Sequence, residues 1–307
     1  MENIRAGDYE RGVSCRCEVP EINVQEGYAD CVDDTERSTF ILKATEDGAG
    51  KEIHMYIDLH VHTEFSCDSE AKMELYADAA IAKGITTLCF TDHVDLNPND
   101  YGYNYYEPDR YFENYRKVRD KYEGRVKLLA GIEFGEPHLY ADKLKELSVY
   151  PYDYIIGSIH WIGDMFPCQK VREQYSAKEF YTLYWEEVLK TVKQGGFDAL
   201  GHIDFPKRYY GEIYYEEAKL KEIFKVLLDR GIVIEINTSS LRKGHRETMP
   251  GDELLALYKD CGGRYVTIGS DAHEVQDVGA DGDVARVLVQ TYGMQETMYV
   301  QRRQNHE

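Results

Sequence analysis

The chain has 307 residues, of which 43% are hydrophobic and 30% are charged, a composition typical of a soluble globular protein with one large domain or two small ones. It has 36 lysines and arginines against 56 aspartates and glutamates, so its formal net charge of −20 argues against binding to nucleic acid or to an anionic membrane surface. No apolar run reaches the roughly 18 residues of a membrane span, and the polar N-terminus does not resemble a signal peptide. We therefore expect a cytoplasmic protein whose seven cysteines are reduced.

Residues 1–54 differ in composition from the rest of the chain. Acidic residues outnumber basic ones here, and apolar periodicity is absent. Cys15 and Cys17 do not have the spacing of a zinc site, and no second pair follows them. The sequence therefore predicts a polar N-terminal extension over residues 1–54, disordered or loosely packed, and a folded domain over residues 55–307.

From residue 55 onward, short apolar runs alternate with segments of helical periodicity. The predicted strands span residues 55–62, 85–90, 126–134, 154–160, 199–205, 232–237 and 265–269. The predicted helices span residues 70–83, 108–122, 138–147, 177–193, 215–229, 250–259 and 281–292. Ser69 is the predicted N-cap of the first helix, and Gly84 its C-terminal stop. Seven strand–helix units, with strands apolar enough to be buried on both faces, predict a parallel α/β barrel.

Side chains that bind metals collect at the C-terminal ends of the predicted strands, where parallel barrels place their active sites. Because residues i and i+2 of a strand point the same way, His60 and His62 are expected to face the barrel mouth together, as are Asp271 and His273. Six of the ten histidines lie at these strand ends beside acidic residues, a recurrence that independent structural histidines would not show. The nine candidate ligands are His60, His62, Asp68, His93, Glu133, His160, His202, Asp271 and His273.

Nine candidate ligands are more than one tetrahedral ion uses, so the sequence predicts two or three divalent ions. A mixture of imidazoles and carboxylates is typical of zinc, manganese or iron sites rather than calcium sites. Glu133 and Asp271 are the residues that could bridge two ions. Asp58 and Asp92 lie one residue out of phase and are predicted to support the ligands or the fold. The histidines predicted to be structural are His54, His138, His245 and His306.

These motifs resemble those of the PHP family, the polymerase and histidinol phosphatase barrels. They stand here as DLHVHT at 58–63, TDH at 91–93, GIE at 131–133 and SDAH at 270–273. The similarity runs from about residue 55 to residue 273, and residues 1–54 have no counterpart in it. The resemblance implies a distorted seven-stranded (β/α) barrel.

The resemblance also implies how the ligands are divided among three ions. His60, His62, Glu133 and Asp271 would bind the first ion. Glu133, His160 and His202 would bind the second. Asp68, His93 and His273 would bind the third, and the position of Asp68 holds either histidine or aspartate in the family.

Within the family, the residues around the motifs are most similar to those of bacterial histidinol-phosphate phosphatases. That similarity is carried by GSIH at 157–160, GHID at 201–204, EINT at 235–238 and LRK at 241–243. It implies that a metal-activated hydroxide hydrolyses L-histidinol phosphate to L-histidinol and phosphate, a step in histidine biosynthesis.

Four residues are candidates for binding and converting this substrate. Arg208 and Arg242 follow strands five and six and are expected to bind phosphate oxygens, because guanidinium groups form bidentate contacts with them. Asp271 and His273 are the expected catalytic residues. The proton for the leaving alcohol could come from Asp271 or from a metal-bound water, and the sequence does not decide between them.

Three other interpretations fit the motifs. The chain could be a PHP phosphoesterase with another substrate, such as a phosphotyrosine protein, a nucleotide or a nucleic-acid end, although the absence of a basic patch argues against the last. It could be a metal-binding barrel without catalytic activity, although all nine ligand positions hold competent residues. It could be an amidohydrolase-like barrel, which shares the His-x-His motif but usually has a bridging lysine that is not evident here.

Overall fold

The structure of the protein is a computed structural model that describes residues 56–305. The predicted N-terminal extension over residues 1–54 lies outside this range and stays a prediction. The described residues belong to one compact unit, and the fold described here is that of this unit.

Eight strands form one parallel sheet in which neighbours in sequence are neighbours in space. They are β1 (Tyr56–Val61), β2 (Ile85–Val94), β3 (Lys127–Gly135), β4 (Tyr154–Ser158), β5 (Ala199–Leu200), β6 (Val233–Asn237), β7 (Tyr265–Gly269) and β8 (Gln295–Glu296). The sheet curls so that β1 returns to β7, where Val61 pairs with Ala272 in a parallel bridge. The predicted α/β barrel is thereby confirmed, with the short β8 in addition to the seven predicted strands.

Ten α-helices accompany the strands within residues 56–305. They are α1 (Met73–Ala82), α2 (Pro108–Tyr122), α3 (Ala141–Leu147), α4 (Gln169–Arg172), α5 (Ala177–Gln194), α6 (Lys207–Tyr210), α7 (Glu217–Asp229), α8 (Ser239–Arg242), α9 (Asp252–Asp260) and α10 (Gly282–Thr291). The seven longest correspond to the predicted helices, whereas the four-residue helices α4, α6 and α8 were not predicted. Among the helices that the structure describes, none has the length and apolar character needed to cross a membrane.

Helix boundaries follow local capping chemistry in some places and tertiary contacts in others. At the start of α5, Ser176 and Glu179 form a capping box, in which each side chain accepts a hydrogen bond from the other residue's backbone. The prediction that Ser69 caps α1 is wrong, because this helix begins at Met73 after Lys72. The Ser69 hydroxyl is instead used by the barrel, where it donates to the carbonyl oxygens of His62 and His273.

The core lies on both sides of the curled sheet. Its larger part fills the space between the strands and the surrounding helices, and includes buried tyrosines whose hydroxyls bond backbone carbonyls, such as Tyr111 and Tyr115. A smaller cluster fills the barrel interior below the strand ends, with Leu59, Tyr154 and Ile156 at its centre. Burying a side chain of this size stabilises the fold by about 1.5–3 kcal/mol.

A two-stranded antiparallel hairpin, β9 (Met298–Val300) and β10 (Arg303–Asn305), covers the floor of the barrel. Its Tyr299 ring stacks on Tyr154 with the ring centroids 5.5 Å apart. Arg302, in the turn, lies with its Nε 3.1 Å from a carboxylate oxygen of Asp198, and that carboxylate also accepts the backbone N–H of Ile155. The hairpin therefore closes the end of the barrel opposite the histidines.

Candidate metal centre

The nine predicted ligands converge at the C-terminal end of the barrel. His60 lies in β1, His93 in β2 and Glu133 in β3. The strands β4 and β5 end earlier than predicted, so His160 and His202 each lie two residues beyond the last strand residue. Asp271 follows β7 with a left-handed φ of 54°, a conformation that few residues other than glycine adopt. The remaining ligands are His62, Asp68 and His273.

Glu133 lies at the centre of the group and divides it in two. Its Oε2 is 3.2 Å from Nε2 of His60 and 3.5 Å from Nε2 of His62. Its Oε1 is 2.8 Å from Nε2 of His202 and 3.3 Å from Nε2 of His160. One carboxylate therefore faces two separate pairs of imidazoles, an arrangement suited to bridging two ions.

Asp271 completes the first set of four. Its Oδ1 lies 3.3 Å from Nε2 of His62 and 3.8 Å from Nε2 of His60. Ligand atoms about 2.0–2.1 Å from a tetrahedral zinc ion are separated by about 3.4 Å, and the contacts of both histidines with Glu133 and Asp271 span 3.2–3.8 Å. Nε2 of His62 is buried and has no hydrogen-bond partner among the described residues. These residues therefore fit a metal ion better than a network of hydrogen bonds.

The third predicted set lies at the rim. Oδ2 of Asp68 is 3.0 Å from Nε2 of His273 and 3.5 Å from Nε2 of His93. Both of these rings stack on His62, with centroid separations of 4.1 and 4.2 Å. The carboxylate of Asp68 is 45% exposed, so this set is the one most open to solvent.

Buried side chains hold His60 and His62 so that each presents Nε2 to the centre. Nδ1 of His60 lies 2.6 Å from Oε1 of Glu235, and Nδ1 of His62 lies 3.1 Å from Oγ of Ser66. When Nδ1 carries the proton and donates it to these oxygens, the lone pair of Nε2 is free to bind a cation. Glu235 also accepts the backbone N–H of His202 through its other oxygen, so it supports ligands of both sets.

Two further buried carboxylates, both missed by the sequence analysis, support the second and third sets. Asp95 lies 3.7 Å from Nδ1 of His160, whose Nε2 faces Glu133, and 3.6 Å from Nδ1 of His93, which itself lies 3.1 Å from Oε2 of Glu133. Glu136 has a left-handed φ of 47° and accepts the backbone N–H groups of His160 and Trp161. Burial raises the pKa of Glu136 to about 7. The visible signal for both was an acidic residue two or three positions past a ligand.

The site balances buried charges of opposite sign. Burial opposes the charged form of His60, but the carboxylates of Glu235, Glu133 and Asp271 outweigh it and hold the pKa of the imidazole well above its usual value. Burial likewise opposes ionisation of Glu133, yet the surrounding histidines, with His60 first, hold its pKa well below the usual range. The acidic groups therefore create a field that attracts cations.

The predicted phosphate-binding arginines both lie next to this centre. Nη2 of Arg208 donates to Oδ2 of Asp271 at 2.9 Å and to Oγ of Ser239 at 2.7 Å. Nη2 of Arg242 donates to the carbonyl oxygen of Ser270 at 2.6 Å. Both arginines therefore contact the loop that carries Asp271.

The residues predicted to support the ligands or the fold make contacts of that kind. Asp58 accepts hydrogen bonds from the hydroxyl of Ser270 and the backbone N–H of Gly279, and so ties β1 to the loop after β7. Asp92 accepts from the backbone and hydroxyl of Thr63. His138 and His245 lie away from the ligands, whereas His54 and His306 fall outside the described residues.

Comparison with known proteins agrees with this arrangement. Residues 58–239, more than half of the chain, match the family described as the PHP domain. A probable histidinol-phosphatase of Clostridium acetobutylicum is 33% identical over 260 residues, which are 81% of this chain and 98% of that protein. The histidinol-phosphatase of Lactococcus lactis is 28% identical over 78% of this chain and 92% of its own length.

Solved structures show the same likeness. A crystal structure of histidinol phosphate phosphatase from Lactococcus lactis, complexed with zinc, L-histidinol and phosphate, superposes with a TM-score of 0.73. It is 25% identical, and the match covers 81% of this chain and 98% of that one. The chain therefore belongs to the PHP domain family.

Proposed function

We propose that the protein is a metal-dependent phosphoric monoester hydrolase that converts L-histidinol phosphate to L-histidinol and phosphate. The observation that carries the proposal is the contact between Arg208 and Asp271. This contact places a guanidinium group directly beside a carboxylate of the candidate metal centre. Curated relatives that match most of the chain are named histidinol-phosphatase or probable histidinol-phosphatase, and a structural neighbour binds L-histidinol and phosphate together with zinc.

The metal ligands would be the nine residues assembled at the barrel mouth, in the three sets described above. The histidine and carboxylate donors favour zinc, manganese or iron, and two or three ions are expected per chain. When bound, such ions neutralise charge on phosphoryl oxygens and lower the pKa of water. Their positive charge also explains how a chain with a net charge of −20 can accept an anionic substrate.

The chain's own contribution to phosphate binding is a group of three cations at the mouth. Arg208 and Arg242 can each present a planar pair of N–H groups to phosphate oxygens. Lys243 follows them in the α8 loop and is exposed. Repulsion from Arg208 is the largest cause that lowers the pKa of Lys243, to about 7, and reduced hydration is the second. An incoming phosphate dianion would relieve this repulsion.

Asp271 and His273 are the proposed catalytic residues. Burial opposes the ionised form of Asp271, but His60, His62 and Arg208 outweigh it and hold its pKa well below the usual value. Asp271 is therefore an ionised carboxylate that can hold a cation, and the proton for the leaving alcohol would come from a metal-bound water. His273 lies nearer the rim, with Nδ1 3.1 Å from the carbonyl oxygen of Asp271 and Nε2 3.0 Å from Oδ2 of Asp68, and it would act by holding an ion beside the substrate.

A steady-state comparison of substrates tests the function. Metal-loaded protein should hydrolyse L-histidinol phosphate with a kcat/KM far above that for phosphotyrosine or a nucleoside monophosphate. A preference for either of the other substrates would leave a PHP phosphoesterase but remove the histidinol-phosphate assignment. The cytoplasmic location expected from the composition stays a prediction.

A further inference from the structure

Lys207, the first residue of α6, is a buried lysine outside the metal centre. Its side chain is 8% exposed. Its ammonium lies 3.2 Å from Oδ2 of Asp204 and 3.2 Å from Oε2 of Glu247, and donates to the carbonyl oxygen of Thr248 at 2.9 Å. Two oxygens therefore accept hydrogen bonds from this buried cation, and the Asp204 carboxylate is paired with it by charge.

These contacts join two separate segments of the chain. Asp204 belongs to the same turn as Lys207, between β5 and α6, whereas Glu247 and Thr248 belong to the loop that follows α8. Arg208 is the next residue of α6 after Lys207. Arg242 is the last residue of α8. Lys207 is thus a strut between the segments that carry the two proposed phosphate-binding arginines.

A second contact runs in parallel with this strut. Nε2 of His245, in the same loop, lies 3.2 Å from the carbonyl oxygen of Arg208. The loop is packed tightly against the lysine, because a Cβ placed on Gly251 would come within 2.8 Å of Nζ of Lys207. The spacing between α6 and the α8 loop is therefore set largely by how the ammonium of Lys207 is bound.

Burying an ammonium is unfavourable unless its partners compensate, and a well-packed apolar side chain often stabilises a fold as much. A buried lysine is therefore weak evidence for a role in stability alone. Its value here is geometric, since charge-assisted contacts to Glu247 and Thr248 restrict the position of one segment relative to the other.

We infer that Lys207 is a positioning residue for phosphate, acting through Arg208 by fixing α6 against the α8 loop. The inference rests on the proposed function, because it takes Arg208 to be a phosphate ligand. Lys207 does not itself contact the metal ligands in the described structure. Its loss should weaken phosphate binding and leave the metal sites unchanged.

The test compares Lys207→Met with the wild type in three measurements. Metal content should be the same. The KM for L-histidinol phosphate and the inhibition constant for inorganic phosphate should both rise by about 5- to 100-fold, the range of a coupling between neighbouring elements or of a misplacement of about 1 Å. Lys207→Arg should recover part of this loss because it keeps a cation at the strut.

A double-mutant cycle with Arg208→Ala separates positioning from general damage. If Lys207 acts through Arg208, then adding Lys207→Met to Arg208→Ala should raise the phosphate inhibition constant little further. Full additivity of the two changes would overturn the inference. Lys193→Met is a matched control, because Lys193 also joins two segments through a glutamate, Glu222, but at an exposed place; it should leave phosphate inhibition unchanged.

Glu247→Gln provides a variant that should fold even if Lys207→Met does not, because Glu247 is half exposed. It should also raise the phosphate inhibition constant, by a smaller factor than Lys207→Met does. If Glu247→Gln and Lys207→Arg both have the wild-type phosphate inhibition constant, the inference is overturned. The cycle uses phosphate inhibition of p-nitrophenyl phosphate hydrolysis as well. A wild type that rejects histidinol phosphate but is inhibited by phosphate would therefore refute the proposed substrate and still allow the role of Lys207 to be decided.

Discussion

His60 and Glu235 form a buried pair in which Nδ1 of the imidazole lies 2.6 Å from a carboxylate oxygen. This contact orients the ring so that Nε2 faces Glu133 and Asp271. Glu235→Gln should therefore weaken metal binding without removing a ligand. A loss of about 10- to 100-fold in metal affinity is typical when such a supporting carboxylate is replaced, and a competition titration with a chelator measures it.

The control for this prediction is Glu216→Gln, which changes the same charge at an exposed position. It should leave metal affinity unchanged. Equal affinity in Glu235→Gln and the wild type would show that the ring of His60 is held by packing alone.

Glu133→Gln should have a larger effect, because one carboxylate faces both pairs of imidazoles. We expect metal content measured by elemental analysis to fall by at least one equivalent, and kcat to fall by more than about 100-fold. Ser158→Ala should have a smaller effect on metal content and kcat, because the Ser158 hydroxyl only donates to Oε1 of Glu133. Full metal content in Glu133→Gln would contradict a bridging role.

Alanine at Arg208 or Arg242 should reduce kcat/KM for histidinol phosphate and leave metal content intact. Losing one charge-assisted contact to phosphate costs about 1.5–3 kcal/mol of binding free energy, which corresponds to a fall of roughly 10- to 100-fold in kcat/KM. Lysine should restore activity only in part, because it lacks the planar pair of donors. Wild-type efficiency in both alanine variants would show that phosphate is bound elsewhere.

His138 should make stability depend on pH at a place remote from the metals. Its ring lies 2.6 Å from the hydroxyl of Thr191 and 2.7 Å from the carboxylate of Glu187. Burial lowers the pKa of His138, although Glu187 partly opposes this shift. The unfolded chain therefore takes up a proton before the folded one does, and stability should fall as pH drops below about 6.5.

The measurement is the free energy of unfolding of metal-saturated protein between about pH 5.5 and pH 7.5. His138→Gln should be less stable at the upper pH, because its hydrogen bonds are altered, and should show a weaker dependence on pH. An unchanged slope would mean that His138 has the same pKa in both states.

Removing residues 1–54 should leave turnover and melting temperature nearly unchanged. The prediction rests on their polar composition and on the match to the Clostridium relative, which aligns over 98% of its own length with 81% of this chain. Activity and thermal unfolding of residues 55–307 measure this outcome. A large loss of either would require the domain boundary to be moved.

The barrel could be predicted from the sequence because its strands are buried on both faces and appear as apolar runs. The ligands could be predicted as a group because i and i+2 residues at strand ends share a direction. The length of β5 could not be predicted. After Leu200, a Cβ on Gly201 would lie 2.7 Å from both Ile156 and Ser158, so this glycine marks a close approach, after which the chain turns through His202.

The supporting residues were hidden for a different reason. Glu235 reads as one residue of an apolar strand, and its role depends on β6 lying where Oε1 meets His60 across the barrel. Ser69 looks like a helix cap in sequence, but its hydroxyl donates to the carbonyl oxygens of His62 and of the distant His273. Both outcomes are set by tertiary contacts between residues far apart in the chain, which local patterns do not encode.

The hairpin over the barrel floor has a consequence for the synthesis of the protein. A ribosome makes every strand of the barrel before it makes residues 298–305, so the nascent barrel has no floor until these residues emerge. During that interval Tyr154 lacks the ring of Tyr299, and Asp198 lacks the guanidinium of Arg302. Apolar surface exposed in such an intermediate is where aggregation begins. The interval before the hairpin packs is therefore one in which the floor of the barrel is open to aggregation.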